Sequence, residues 1–438
     1  MRIGMVSATY DPTVVNGAVR MVSLYKQYLE ELGHEVTIFT LGDEDQTDHK
    51  ARIYRSQGIR LGDYGYYISM SYSREAQMQL AQMDIVHCHH LIMSVEMAHR
   101  YARCPIVYTN HTRYDLYTGA YVSLPQPAAD AIMRQIWPEF TDLADVVIAP
   151  SQSMQQILSD FGVRTRIEVI ENGIELEPFL HPRRPRTKSD YGLPETARLL
   201  AYVGRLSSEK ALPDLLEQFS LAQELFPDLH LAIFGKGPQK EELQRQVGQL
   251  GIEAHVQFRG AVPYDEVPDW LIPVDAFVTA STSEVHPLTI IEAMAAGKPV
   301  GAVRSPGISD TVEHGVDGYL ADRVEGLDAV MVALVADPAR TRAMGEAARE
   351  ASKRFDIQRT VAETVKLYEE LLEARPDLKR DKEHGRWSRR TEKWSVLIEQ
   401  LAEIVRPSDG SSDGMRGRWL PSAPSTPRPI DEIGRAHV

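Results

Sequence analysis

The chain has 438 residues, 43% hydrophobic and 25% charged, the proportions of an ordinary globular enzyme, and its length predicts two domains or three. Its net charge of −14 argues against a general nucleic-acid binder, which needs a basic face. With no run of about 18 apolar residues a spanning helix is not expected, and because Met1-Arg2 leads straight into a strand-like segment no signal peptide is expected either.

Ile3–Ser7 is the first strand-like run, followed by a loop through Tyr10-Asp11-Pro12 to Asn16-Gly17. A helix is expected from about Val19 to Leu32, ended by Gly33. Further strands are expected at Val36–Thr40, Ile85–Cys88, Ile106–Thr109, Val146–Ala149 and Ile167–Ile170. These runs are rich in Val and Ile without polar alternation, which suits a parallel sheet covered by helices on both faces. Cys88 and Cys104 lie in apolar segments and read as reduced core thiols of a cytoplasmic protein. Residues 1–180 thus read as one doubly wound α/β unit. Around Pro182–Arg186 the composition becomes that of a linker.

The alternation restarts over residues 187–355. Strands are expected there at Leu199–Val203, Leu231–Phe234, Val256–Phe258, Ala276–Thr279 and Val300–Val303, with helices including Leu212–Leu225 and Gln239–Leu250. An amphipathic helix from about Ile357 to Leu372, within residues 356–372, closes the globular part. Two such units in series leave a cleft, and ligands of doubly wound sheets bind beyond the carboxyl ends of the strands. Residues 374–406 form a basic extension bearing Trp387 and Trp394, with a short apolar-striped helix. Residues 407–438 read as a disordered tail rich in Ser, Pro and Gly. Its final stretch, 432–438, resembles the in-frame translation of a sequencing-adaptor oligonucleotide and is set aside.

The second unit carries the stronger chemistry. Arg205 and Lys210 follow its first strand, in Gly204-Arg205-Leu206-Ser207-Ser208-Glu209-Lys210. A guanidinium and an ammonium there can both reach a diphosphate, and a solvated salt bridge with Glu209 is the competing reading. Glu284 and Glu292 stand eight positions apart, the second opening a helix-like segment and the first in the loop before it. Acidic acceptors at a helix N-terminus, where N–H groups also point outward, suit a ligand with both hydroxyls and phosphates. In that combination the cations take a leaving diphosphate, Glu292 the ribose hydroxyls and Glu284 the transferred sugar. His87, His89 and His90 cluster at one strand end, but no Cys or carboxylate set completes a tetrahedral zinc site. Asp43-Glu44-Asp45 reads as a solvated acidic loop. No metal site and no resident cofactor is expected, and the lack of GxGxxG leaves a dinucleotide dehydrogenase poorly supported.

Gly204-Arg205-Leu206-x-x-Glu209-Lys210, Phe234-Gly235-Lys236-Gly237-Pro238, and the glutamate pair followed by Ala293-Met294-Ala295-Ala296-Gly297-Lys298-Pro299-Val300 together resemble glycosyltransferase family 4. The resemblance covers roughly residues 1–372. It implies a retaining enzyme of the GT-B fold, two Rossmann-like units facing a cleft. A UDP- or GDP-sugar donor would sit in the second unit and an acceptor in the first, with the last helix crossing back. Donor contacts are implied at Arg205, Lys210, Glu284 and Glu292, and along the loop Val285, His286, Pro287 and Leu288. Asn16-Gly17-Ala18-Val19-Arg20 resembles the family's Gly-rich loop, with Asn for the usual first Gly, a variant of members that glycosylate lipids. Gly17 would let the backbone approach the donor phosphate. His111, in Asn110-His111-Thr112-Arg113-Tyr114, resembles the active-site histidine, whose position implies contact with the donor sugar. An ordinary loop-end histidine is the alternative. The catalytic set expected is therefore His111, Arg205, Lys210 and Glu284, with charge on the departing diphosphate stabilised electrostatically.

The acceptor is less legible. Tyr114, Tyr117 and Tyr121 would form one aromatic stripe on a helix, most often a core feature. Yet His-Thr-x-Tyr-x-x-Tyr resembles members that transfer glucose to diacylglycerol, which implies acceptor contacts there and at Arg20. A lipid acceptor fits docking of the basic extension on an anionic membrane surface, whereas a soluble sugar acceptor needs none. Glu284-Val285-His286-Pro287 departs from the family's usual Glu-Gly-Phe-Gly/Pro, placing a Cβ where the backbone nears the donor, so the sugar stays open. An epimerase or a non-catalytic sensor of the same fold would use the donor site without an acceptor.

Overall fold

A computed structural model describes residues 1–374 apart from 12–15, 44–47, 49, 62–65, 70 and 117–124. Tyr117, Tyr121, most of the acidic loop and the Trp-bearing extension lie outside the described residues. Among those described, no helix is long and apolar enough to cross a membrane.

The first unit is a parallel sheet ordered β3-β2-β1-β6-β7-β8-β9. Its strands are β1 (Arg2–Val6), β2 (Glu35–Leu41), β3 (Ile53–Ser56), β6 (Ile85–Cys88), β7 (Ile106–Thr109), β8 (Val146–Ala149) and β9 (Ile167–Val169). A small antiparallel pair, β4 (Ile59–Leu61) and β5 (Tyr66–Ile68), stands apart from it. The second unit is ordered β12-β11-β10-β13-β14-β15, from β10 (Arg198–Val203), β11 (Leu229–Phe234), β12 (Val256–Gly260), β13 (Ala276–Thr279), β14 (Val300–Val303) and β15 (Gly318–Ala321). The central strands are buried along almost their whole length, as expected of Val- and Ile-rich runs covered on both faces. The edge strands β3 and β15 and the β4–β5 pair were not expected. None of them carries two Val or Ile residues, which mark β6, β7, β8 and β14, so nothing in them stands out from the loops around them.

Strand order reverses between β1 and β6 in the first sheet and between β10 and β13 in the second. Such switch points open a crevice, because the chains leaving adjacent strands go to opposite faces. The loops bearing Arg205 and Glu284 leave the two strands of the second switch point.

The chain returns to the first unit at its end. Ile174 and Asp356 form a parallel bridge, and the helix Ile357–Ala374 then packs on the helix Gly17–Glu31. Ile357, Val361, Leu367 and Tyr368 join the same apolar cluster as Ile3, Met5 and Val36. Each such buried side chain contributes about 1.5–3 kcal/mol by leaving water. The Tyr25 and Thr364 hydroxyls meet at 3.2 Å.

Candidate active site

Two glycine-rich turns lock the loop after β10. Gly235, at φ +144°, lies so close to the preceding loop that a Cβ would fall 1.8 Å from the Gly204 carbonyl oxygen. Only glycine tolerates both that dihedral and that approach. Leu206 N–H donates to the Lys236 carbonyl at 3.0 Å, fastening the second turn. On this base Arg205 Nη2 meets Glu209 Oε1 at 2.8 Å, and Ser207 Oγ donates to the same oxygen at 2.6 Å. Glu209 is almost fully buried. Burial alone would raise its pKa, but the Ser207 hydroxyl and the Arg205 guanidinium outweigh it and hold it below the usual range. The Arg205–Glu209 pair therefore exists, yet it is a buried brace and not the solvated salt bridge of the competing reading.

Lys210 is directed elsewhere. Its Nζ lies 2.7 Å from Glu284 Oε1, joining the loop after β10 to the loop after β13. Burial would lower the lysine pKa, but the Glu284 carboxylate raises it, so the ammonium is held charged. Ser283 Oγ donates to the Glu209 carbonyl at 3.1 Å, a second tie between the loops. Ala211, which follows, sits at φ +49°. A non-glycine residue there stores on the order of 1–3 kcal/mol of strain, as backbone at functional sites often does.

The loop from Glu284 to Leu288 bridges the units. Val285 and Glu284 carbonyls lie where a Cβ on Gly307 would fall, at 2.4 Å from each. Ser151 Oγ, just past β8, donates to the Val285 carbonyl at 3.2 Å, and Asn172 Nδ2 donates to the His286 carbonyl at 3.4 Å. The Val285 side chain does not crowd the cleft as expected; it joins the apolar core of the first unit. The His286 ring is also turned inward, 5.1 Å from Phe355, and neither ring nitrogen has a protein partner among the described residues. Burial lowers its pKa to about 3, so the ring is neutral. His286 can offer a ligand its backbone but not its imidazole.

Leu288, not Glu292, opens the next helix, Leu288–Ala295, after Pro287. Glu292 lies one turn in and is buried. The Tyr264 hydroxyl donates to its Oε1 at 2.9 Å, and Arg20 Nε stands 3.9 Å from the same oxygen. The Arg20 guanidinium lies 3.0 Å over the Tyr264 ring and meets Glu175 at 3.3 Å. Arg20, expected to contact the acceptor, instead reaches Glu292 and Tyr264 of the second unit. Burial pushes the Glu292 carboxyl up to about 7, although Arg20 and the Tyr264 hydroxyl act the other way.

That shift has a testable sign. A carboxyl raised in the folded state gives stability that is full below its unfolded pKa and is lost as pH rises through about 7. Glu292→Gln, neutral throughout, should match the wild type near pH 4 and become more stable than it by up to about 3 kcal/mol at pH 8–9. Denaturant titrations across this range check it; a difference independent of pH would refute the assignment.

From the first unit, Asn16 Oδ1 caps the helix Gly17–Glu31 by accepting from Ala18 N–H at 2.9 Å. This explains Asn at that position, a favoured N-cap. A Cβ on Gly17 would lie 3.8 Å from Leu288 Cδ1, so the helix starts of the two units are in contact. Each carries the equivalent of about half a positive charge. Lys210, Arg205 and Arg20 add three cations, each paired with a carboxylate, Glu284, Glu209 and Glu175 respectively.

His111 lies past β7, beside the Ser151 strand end that touches Val285, and its Nε2 meets His89 Nδ1 at 3.1 Å. Tyr114 sits under the first unit's core, its hydroxyl accepting from Leu91 N–H at 3.2 Å and its ring edge-on to Trp137. The histidines are engaged with one another and with hydroxyls, and among the described residues no three His, Cys, Asp or Glu groups could hold a metal ion. Sequence reasoning missed Tyr264, Glu175 and Ser151. Tyr264 stands in Pro263-Tyr264-Asp265-Glu266, which reads as an ordinary turn, and none of the three belongs to a motif.

Comparison with known proteins bears on this geometry. The model for Glycosyltransferase Family 4 matches residues 15–178, and that for Glycosyl transferases group 1 matches residues 183–351. An alpha-monoglucosyldiacylglycerol synthase of Streptococcus pneumoniae is 29% identical over 77% of this chain and 79% of its own. A D-inositol 3-phosphate glycosyltransferase of Catenulispora acidiphila is 30% identical over 66% of this chain and 73% of its own. Among solved structures, Anabaena HepE in complex with UDP-glucose superposes with a TM-score of 0.67 at 22% identity, over 84% of this chain and all of that one, a likeness of fold.

Proposed function

The chain belongs to glycosyltransferase family 4, and from that premise we propose that this hexosyltransferase moves a hexose from a UDP-glucose-like donor to a hydroxyl of a membrane lipid of the diacylglycerol class. The observation that carries the reading is the Lys210–Glu284 pair joining the loops after β10 and β13, with the helix start at Leu288, four residues past Glu284, in contact with the helix start at Gly17. A diphosphate placed there faces cations and N–H dipoles, while Glu284 and Glu292 offer acceptors to hydroxyls. The UDP-glucose donor draws support from the HepE complex, and the lipid acceptor from the synthase named for a glucosyldiacylglycerol.

The sugar C1–O bond to the diphosphate breaks as a bond from C1 to the acceptor oxygen forms on the same face. The acceptor hydroxyl's proton passes to the departing phosphate. Negative charge grows on that phosphate, and Lys210 and Arg205, paired in the structure with Glu284 and Glu209, stabilise it together with the helix dipoles. Glu292 holds the ribose.

A cross of UDP- and GDP-sugars with diacylglycerol vesicles and with soluble acceptors, inositol phosphate included, tests this by mass spectrometry. Glycolipid formed from the UDP-hexose is the expected result. Product with soluble acceptors alone overturns the lipid acceptor, and nucleotide-sugar interconversion without any acceptor overturns transfer.

A further inference from the structure

Three histidines of the first unit, His87 on β6, His89 just after it and His111 after the neighbouring β7, lie together in the interior. His87 is fully committed: its Nε2 meets Thr109 Oγ1 at 2.6 Å and its Nδ1 meets the Tyr368 hydroxyl at 2.6 Å. Tyr368 comes from the returning C-terminal helix. The His87 ring covers the His89 ring at 4.2 Å between centroids. The His89 and His111 rings are 5.3 Å apart with planes only 11° from parallel. Together with the 3.1 Å contact between His89 Nδ1 and His111 Nε2, this places the rings edge to edge in nearly one plane, the geometry of a linear N–H···N bond.

One of these two nitrogens must donate and the other accept, so the pair has two neutral arrangements. The far side of His89 decides between them. His89 Nε2 is buried and has no protein partner among the described residues. A buried N–H donor left unbonded costs about 1–3 kcal/mol, and such orphaned donors are rarer than under-used acceptors. Placing the His89 proton on Nδ1 leaves Nε2 as a bare lone pair and is the arrangement of the pair that avoids an orphaned donor. Burial, with the neighbouring imidazoles next, lowers the pKa of His89, and burial brings His87 and His111 to about 3, so none of the three is an imidazolium at neutral pH.

We propose that His89 is a positioning residue for the donor-sugar site, donating Nδ1–H to His111 Nε2 and so holding His111 neutral with its own proton on Nδ1. In that state His111 presents an N–H donor to a sugar oxygen and cannot take the acceptor's proton, consistent with proton transfer to the departing phosphate. The return of the C-terminal helix completes the stack through Tyr368 and His87. The functional half of this inference rests on the transfer reaction proposed above; the tautomer does not.

The test has two arms. In the full chain labelled with 15N-histidine, two-bond 1H–15N spectra at pH 7.5, assigned with single-histidine variants, should show His111 protonated at Nδ1 and bare at Nε2. The reverse tautomer or an imidazolium overturns the proposal, whatever the enzyme transfers. His89→Leu should lower kcat/KM for the nucleotide sugar about 10–100-fold, the usual effect of losing a group that orients a functional histidine. His89→Asn, whose amide N–H can replace Nδ1–H, should recover most of it, and in a His111→Ala background His89→Leu should add nothing. Full activity in a folded His89→Leu enzyme overturns the positioning role, as does an equal further loss in the His111→Ala background. If the leucine variant does not fold, the wild-type spectrum and the asparagine variant still decide.

Discussion

Lys210→Ala is expected to reduce the turnover number for sugar transfer about 10²–10³-fold with little change in thermal stability, the scale seen when one preorganised charge-stabilising group is removed. Two effects act in the same direction. The ammonium that would meet the growing phosphate charge is gone, and Glu284, 2.7 Å away in the wild type, is left as an uncompensated carboxylate facing a diphosphate. The double variant Lys210→Ala/Glu284→Gln separates them. If Lys210 only neutralises Glu284, the double variant recovers; if Lys210 stabilises the leaving group, the double variant stays as slow as the single one or slower. Single-turnover rates with saturating donor give the answer. A Lys210→Ala enzyme with near-normal turnover would remove the electrostatic mechanism altogether.

Gly235→Ala should destabilise the protein by about 3 kcal/mol or more, the sum of a dihedral closed to L side chains and a forced backbone shift. The shift falls on Gly204-Arg205, since the new Cβ would sit 1.8 Å from the Gly204 oxygen. Arg205 would move with it, so donor binding should weaken in whatever fraction still folds. Gly251→Ala is the control: its φ is +68°, but nothing lies within 4 Å of its Cβ, and the cost should be only about 1–2 kcal/mol. Urea midpoints for the two variants measure the difference. Equal, small losses would show that the two loops after β10 and β11 are not clamped as described.

Much of the architecture was legible because burial on both faces writes itself into composition. β6, β7, β8, β13 and β14 fall at the expected residues, since a central parallel strand needs an unbroken apolar run. β15, equally short but with no Val or Ile, leaves no such trace. In the candidate site, the motifs singled out Arg205, Lys210, Glu284 and Glu292, and the structure pairs Lys210 with Glu284 across two loops. The site was not legible where a side chain's direction matters. Val285 and His286 were read as lining the donor, yet Val285 enters the core of the first unit and His286 packs on Phe355. Nothing in five consecutive letters tells which of two faces a loop turns inward.

Arg20 draws the same boundary most sharply. Residue types and their spacing along the chain were enough to establish two α/β units. They could not place Arg20 against Glu292 and Tyr264, residues more than two hundred positions away, because that contact depends on how the first helix of one unit packs on the other unit. The pairing of β6 with β7 brings His89 and His111 together, and burial between the units raises the Glu292 carboxyl, since hydrogen-bond partners and burial are properties of the assembled interior and not of any segment.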